Sequence, residues 1–229
     1  MAQCSASPTI AESDISSTII YPVPTPAAPS LTVNISGSNV VAALAAPSCP
    51  ASTTPRNSIQ WIDTATAAGG TWTSWATWNP SSTFNNSHAI NQGARSTYRG
   101  QAYCDGLFAD SATVQTATVS AIRPIATPAT PVWNSQYNYF YSCDAGCWRN
   151  NVSFTTACPT GTWVSSTSFD SHPEWRPTET WWHPWVYSDW WYTGSASNQY
   201  VSYYARYTCA TDFASATSAD GHTRVVVYP

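Results

Sequence analysis

The residues best suited to chemistry crowd into one stretch. Between Ser171 and Thr193 lie His172, Glu174, Glu179 and His183, set among Trp175, Trp181, Trp182, Trp185, Trp190 and Trp191. Two carboxylates among aromatic rings are what glycoside hydrolysis uses: one acid kept protonated by an apolar setting, one ionised, about 5–10 Å apart. Here both glutamates sit in a proline-bounded stretch, and nothing in it fixes their separation. They read as ordinary surface carboxylates. His172-x-Glu174 with His183 offers metal-ligand atoms but matches no recognised ligand spacing. No Gly-x-Ser-x-Gly, phosphate loop or dinucleotide fingerprint occurs. The expectation is therefore a non-enzyme, with no catalytic residue, no metal and no cofactor.

The tryptophans carry the stronger signal. Exposed aromatic faces stack on the apolar C–H faces of sugar rings, and they also anchor protein interfaces. The alternative is that they cap the end of a domain. So many rings exceed what one loop can bury, and all three readings stay open: cap, protein interface and sugar platform.

Seven cysteines point to an oxidising compartment. Cys49 and Cys104 lie 55 residues apart, and Cys158 and Cys209 lie 51 apart. The first member of each pair precedes a proline, Pro50 or Pro159. A recurring spacing of this kind is what one bridge in each of two copies of a domain would leave. Cys143-x-x-x-Cys147 suits a small local loop, which leaves Cys4 over. Zinc is the rival reading, but the long pairs lack the close spacing of structural zinc sites.

The elements that must position these groups also come in two copies. Tyr98-Arg-Gly-Gln-Ala-Tyr-Cys104 is echoed by Tyr203-Tyr-Ala-Arg-Tyr-Thr-Cys209, and each copy leads through Ser, Thr and Ala to a β-branched run. Self-similarity at about a hundred residues means two tandem domains in this 229-residue chain. Residues 1–29 form a leader and proline-rich linker, 30–123 a first domain, 124–131 a second linker, and 132–229 a second domain with a Trp-rich insertion over 171–193. Leu31–Ile35 and Val40–Leu44 alternate around Gly37-Ser38 and predict a hairpin. Ser58–Ile62, Thr97–Cys104 and Thr113–Val119 predict further strands. Tyr137–Tyr141, Asn151–Thr155, Gly161–Ser165, Tyr200–Cys209 and His222–Tyr228 do so in the second domain. Trp72, Trp75 and Trp78 have helical spacing, but Gly69-Gly70 and Asn79-Pro80 argue for strand and loop.

Composition narrows the class. Charged residues make up 9% of the chain, against about 25% in a usual soluble domain. All eight basic residues are arginine and none are clustered, which disfavours nucleic acid. No apolar run reaches the length of a membrane span. Met1-Ala-Gln-Cys4 lacks the basic and apolar regions of a signal peptide, which suggests mature numbering, a trimmed chain or a phage-type structural protein. Asn34, Asn85 and Asn151 open Asn-x-Ser sequons.

Short strands with turns every eight to twelve residues predict an all-β fold of two tandem sandwiches. Pro26-Ala-Ala-Pro-Ser-Leu-Thr-Val33, Ile59-Gln-Trp61 and the Tyr-rich strand ending in cysteine resemble fibronectin type III or immunoglobulin-like repeats of bacterial secreted and surface proteins. Tyr207-Thr-Cys209 fits that group's tyrosine corner, whereas the first copy has Ala102 at that position. The resemblance implies a structural or adhesive role outside the cell or on its surface.

The leader ends in Ser17-Thr-Ile-Ile-Tyr21, a β-prone run beyond a stiff polyproline-type linker. Such a run can add to a sheet edge, in its own chain or a neighbour's. Cys4, Ile19, Ile20 and Tyr21 are then the candidates for contact between copies. The expected function is an extracellular structural subunit, on a cell surface or in a filament, assembling through the leader and the aromatic patch. The alternative is a carbohydrate-binding or adhesive module using the Trp-rich insertion. The expected partners are copies of the chain itself, and glycans under the alternative.

Overall fold

In the computed structural model, backbone is described for residues 21–141, 147–173, 182–184, 188–192 and 199–227, and side chains for 21–134, 152–171 and 200–225. The described residues are all-β, with no helix among them. They form two tandem sandwiches of the immunoglobulin/fibronectin type.

The first sandwich comprises β1 (Leu31–Ser36), β2 (Asn39–Ala45), β3 (Thr54–Thr64), β4 (Thr83–Ala89), β5 (Arg95–Asp105), β6 (Val114–Gln115) and β7 (Val119–Ile122). One sheet has the order β1-β2-β4; in the other, β5 lies between β3 and the pair β6 and β7. All pairings are antiparallel. The β1–β2 hairpin turns at Gly37-Ser38, where Gly37 has φ 59°, a left-handed conformation that glycine adopts without strain. Alternation decides what goes inside: along β5, Ser96, Tyr98, Gly100, Ala102 and Cys104 face the core, while their neighbours face out. They meet Val33, Val40, Ala42, Leu44 and Ile59 from the facing strands. Full burial of a Leu- or Ile-sized side chain contributes about 1.5–3 kcal/mol.

The second sandwich repeats the plan with β8 (Val132–Tyr141), β9 (Cys147–Thr155), β10 (Trp163–Pro173), β11 (Trp182–Pro184), β12 (Ser188–Tyr192), β13 (Gln199–Ala210), β14 (Ser215–Thr217) and β15 (Gly221–Val227). Its sheets have the orders β12-β9-β8 and β11-β10-β13, with β14 and β15 both on β13. Val152, Phe169, Val201, Tyr203 and Val225 form its core, with Trp133 packed against it.

Two expectations need correction. Thr113–Val119 is not one closing strand. The ladder breaks between β6 and β7, where Thr116 donates its N–H to the Gly100 carbonyl and takes the Gly100 N–H on its hydroxyl. Ser218 does the same for Tyr207 between β14 and β15. A hydroxyl that can stand in for a backbone carbonyl lets a strand bulge without losing its bonds. The stretch expected to be an insertion without counterpart contains β12, which pairs with β9 as β4 pairs with β2. Proline and tryptophan density hid this strand, and the polar run Thr83–Ala89 hid β4.

The linkers correspond as well. Pro22-Val-Pro-Thr-Pro-Ala-Ala-Pro29 and Pro124-Ile-Ala-Thr-Pro-Ala-Thr-Pro131 share their pattern. Ile125 packs on Tyr207 and Cys209 of the second sandwich. Val23 lies beside Gly106 just past the end of β5, at the same end of the first.

Candidate functional site

Both long bridges are formed and occupy the same place in each copy. Cys49, in the loop between β2 and β3, joins Cys104 near the end of β5; Cys158, between β9 and β10, joins Cys209 near the end of β13. Each bridge therefore ties a loop to the end of a strand at one pole of its sandwich. The Cys143–Cys147 pairing involves a residue outside the described set, and Cys4 is also outside it.

The pole of the second sandwich is where the two domains meet. It presses on the β4–β5 corner of the first. Thr211 donates its hydroxyl to the Gly93 carbonyl at 2.6 Å. Asp212 donates its N–H to the Ala65 carbonyl, and its carboxylate accepts the Ala67 N–H at 2.5 Å. The guanidinium of Arg95 sits 4.2 Å over the ring of Phe213, a cation–π arrangement. Gly93, at φ 74°, has no room for a side chain: a Cβ there would lie 2.5 Å from Thr211 Cγ2. Gly161 makes the other close approach, against Asn91. The linker is fixed too, with the Ala126 N–H bonded to Gln92 Oε1 at 2.7 Å.

Tyr207 anchors the joint from inside. Its hydroxyl donates to the Ala129 carbonyl at 2.8 Å, lies 3.2 Å from the Ala157 carbonyl, and accepts the Ala157 N–H at 3.1 Å. One side chain thus ties the linker to the loop that carries Cys158. Ala102 has the corresponding place in the first sandwich, where this tie is missing.

Beyond Cys104 the first sandwich presents the counterpart of the joint. Phe108 follows Cys104 at the spacing at which Phe213 follows Cys209, and alanine comes next in both. Phe213 is covered by Arg95. Phe108 is 70% exposed and its neighbour Leu107 86% exposed. Cys-x-x-x-Phe-Ala, present twice, is the sequence signal for this position.

Trp72, Trp75 and Trp78 are not a helix. Their segment runs along the outer edge of β3, held by bonds from the Thr73 and Ala76 N–H groups to the Trp61 and Ile59 carbonyls and by a bridge between Asn57 and Asn79. Trp72 and Trp75 stack on the Arg99 guanidinium at 4.5 and 5.5 Å, and Trp78 meets Tyr103 edge-on at 4.8 Å. These half-buried rings lie on the outer face of the sheet, against Arg99 and Tyr103.

A polar chain crosses the open edge of the first sandwich. Tyr98 donates its hydroxyl to Asn86 Oδ1 at 3.0 Å and lies 3.0 Å from His88 Nδ1; His88 Nε2 is 2.7 Å from Asp63 Oδ2. Trp61 stacks on both rings. Burial, reinforced by the negative charge of Asp63, pushes the Tyr98 hydroxyl well above its usual range. An acid so weak holds its proton and serves as a structural donor.

Of the sequence-nominated chemistry, Glu174, Glu179, Trp175, Trp181 and Trp185 lie outside the described residues. Backbone pairing sets His183 opposite Phe169 and His172 opposite Ser202, so the two histidines are not cross-strand partners. Trp182 pairs with Asp170, Trp190 with Arg149 and Trp191 with Trp148. Ile19 and Ile20 lie outside the described residues, and Tyr21 is 79% exposed. Among the described residues no group of three His, Cys, Asp or Glu is placed to hold a metal, and no helix is long and apolar enough to cross a membrane. The sequon residues Asn34 and Asn85 are exposed on β1 and β4.

No protein-family model matches the chain, and no curated protein matches it. Among solved structures it is similar to the crystal structure of chicken CNTN1 FN1-FN3 domains, at 11% identity over 91% of this chain and 69% of that one, with a TM-score of 0.28. A likeness that weak carries no argument. The assignment to the immunoglobulin/fibronectin type of sandwich rests on the strand order and register given above.

Proposed function

We propose that the chain is a non-enzymatic, extracellular structural subunit, working at a cell surface or in a filament and associating with copies of itself. The joint between the sandwiches supports this reading best. Hydrogen bonds, a cation over a ring, a glycine with no room for a methyl, and a disulfide at its root turn two modules into one stiffened unit. A spacer or filament subunit that must hold its direction is served by such a lock. Two bridges suit an oxidising compartment. A surface with 9% charged residues offers little repulsion between copies. In this reading the leader residues Cys4, Ile19, Ile20 and Tyr21 and the Trp-rich stretch supply contacts between copies.

Light scattering and negative-stain microscopy of the full chain over a concentration series test the proposal. Assemblies that persist at high salt are expected, along with a folded chain that assembles less readily once residues 1–21 are deleted. A strict monomer at high concentration contradicts it. The second reading, a carbohydrate-binding or adhesive module, is favoured by the way Trp72, Trp75 and Trp78 line up over an outer sheet face. Sugar-dependent quenching of tryptophan fluorescence by a monomeric protein would select it.

A further inference from the structure

We infer that the Leu107–Phe108 tip of the first sandwich docks on the second sandwich of another copy, at the corner marked by Tyr200 and Arg224, so that copies join head to tail. The inference deepens the assembly reading and rests on it.

The molecule contains its own precedent. The tip beyond Cys209 is packed into a joint, with Thr211 buried and Phe213 half-buried, and what it contacts is a corner of a sandwich of the same repeat. There Arg95, at the start of β5, lies over Phe213. The tip beyond Cys104 carries phenylalanine and alanine at the same positions but stands out in solvent. Large apolar side chains exposed together at a loop tip mark a contact surface. The corner of the first sandwich is already filled by the chain's own Phe213, so the corner left for Phe108 is that of a second sandwich. At that corner Tyr200 has the place in β13 that Arg95 has in β5, each at the same spacing before its cysteine. Arg224, paired through β15, sets its guanidinium 3.6 Å over the Tyr200 ring. At the joint the docked Phe213 supplies the ring and the corner the cation; here the corner holds both, so Phe108 would pack beside a cation–ring pair already formed.

The two contacts differ in one respect. Thr211 and Asp212, the polar anchors of the internal joint, are replaced beyond Cys104 by Gly106 and Leu107. The contact between copies gives up those hydrogen bonds for apolar area. It is weaker than the joint, reversible and insensitive to salt. Because tip and corner are different surfaces, the contact is heterologous and propagates as a filament unless its rotation closes a ring.

The test uses the full chain. Leu107→Ser with Phe108→Ser should weaken self-association at least about tenfold in sedimentation equilibrium. The melting temperature should be unchanged, since both side chains are exposed. With p-benzoylphenylalanine in place of Phe108, irradiation should give covalent oligomers whose linkage maps to residues 199–227 of a neighbouring chain. A link within one chain to residues 1–21, a link to another face, or assembly undiminished in the double variant would overturn the docking and leave the assembly reading standing. A wild-type chain that is monomeric throughout would overturn both.

Discussion

The two sandwiches share strand order, broken closing strand, bridge position and linker, yet they fill and tie themselves differently. In the first, Leu44 lies so close over Gly100 that a Cβ on Gly100 would come within 2.6 Å of it, and Ile59 pairs across from that glycine. In the second, the same two strand positions hold Ala205 and Phe169, and Phe169 stacks on Tyr203 at 5.5 Å with Trp133 packed edge-on. A large aliphatic over glycine and a large ring over alanine are two ways to fill one space, as interiors of near-crystal density permit. The ties differ with position in the molecule. The second pole bears the joint and has Tyr207 to lock loop and linker together. The first pole has Ala102 in that place and keeps an apolar tip in solvent. The lock sits where the two domains meet, and the exposed tip sits at the far pole of the first sandwich.

The bridges should separate the two most sharply. Replacing Cys49 and Cys104 by serine, or Cys158 and Cys209, should cost the host sandwich about 4 kcal/mol, the loop-closure entropy of spans this long. The first pair should lower only its own domain in urea unfolding. The second should also loosen the joint, because Ile125 of the linker packs on Cys209 with Cys158 alongside. Equal, domain-confined effects would show that the joint draws nothing from its bridge.

Gly93→Ala attacks the joint directly. The substitution places a methyl in contact with Thr211 and an L-residue at positive φ, together costing about 1–3 kcal/mol. Calorimetry should then resolve two transitions, against one expected for the wild-type chain. A single unsplit transition would mean that the sandwiches are coupled through the linker alone.

Tyr207→Phe tests the tie that only the second sandwich has. Removing one hydroxyl strips the Ala129 carbonyl and the Ala157 N–H of a partner in a buried place, a loss of about 1–2 kcal/mol. Hydrogen exchange should quicken at Ala157 and in the linker while the first sandwich keeps its protection. Unchanged exchange at Ala157 would assign the loop's order to the Cys158–Cys209 bridge instead.

Much of this architecture was legible in the chain. Strict alternation in Leu31–Ile35 and Thr97–Cys104 exposes a two-residue period, and the recurring cysteine spacing marks both copies and both bridges. What stayed hidden has physical causes. β4 turns Phe84, Asn86 and His88 inward, because Tyr98 needs polar partners, and a strand with a polar inner face lacks the apolar signal of burial. β12 has Trp190 and Trp191 in succession, so its sequence shows no two-residue period. Trp72, Trp75 and Trp78 gave a helical period for a segment whose rings follow the surface of a sheet. The joint was legible in principle, in the doubled Cys-x-x-x-Phe-Ala and the doubled linker. Only packing shows that one phenylalanine is covered and the other bare.

The smallest effect expected is also the most specific. Tyr98 and Tyr203 are corresponding, fully buried residues, and Tyr98 hydrogen-bonds to Asn86 beside the His88–Asp63 pair. Tyr98→Phe should cost about 1 kcal/mol at neutral pH, the net worth of a hydrogen bond. Its pH dependence carries the test. Burial first, then the charge of Asp63, raises the folded Tyr98 well above the unfolded tyrosine value near 10. Below about pH 10 both states hold the proton and the contribution to stability is complete. Above it the unfolded chain loses its proton while the folded chain keeps it, so stability falls as pH rises, by up to about 1.4 kcal/mol per pH unit for this one group. Tyr103, raised in the same direction by burial and by Asp110 and Asp105, and opposed by Arg56, adds to the decline in both proteins. Phenylalanine at 98 has no proton to lose, so the variant's curve should be shallower. The gap in urea midpoint between wild type and variant should narrow from about pH 10 upward and close or reverse near pH 11. A gap that stays constant across that range would mean that Tyr98 ionises as readily folded as unfolded, and that the polar chain through His88 and Asp63 is open to water.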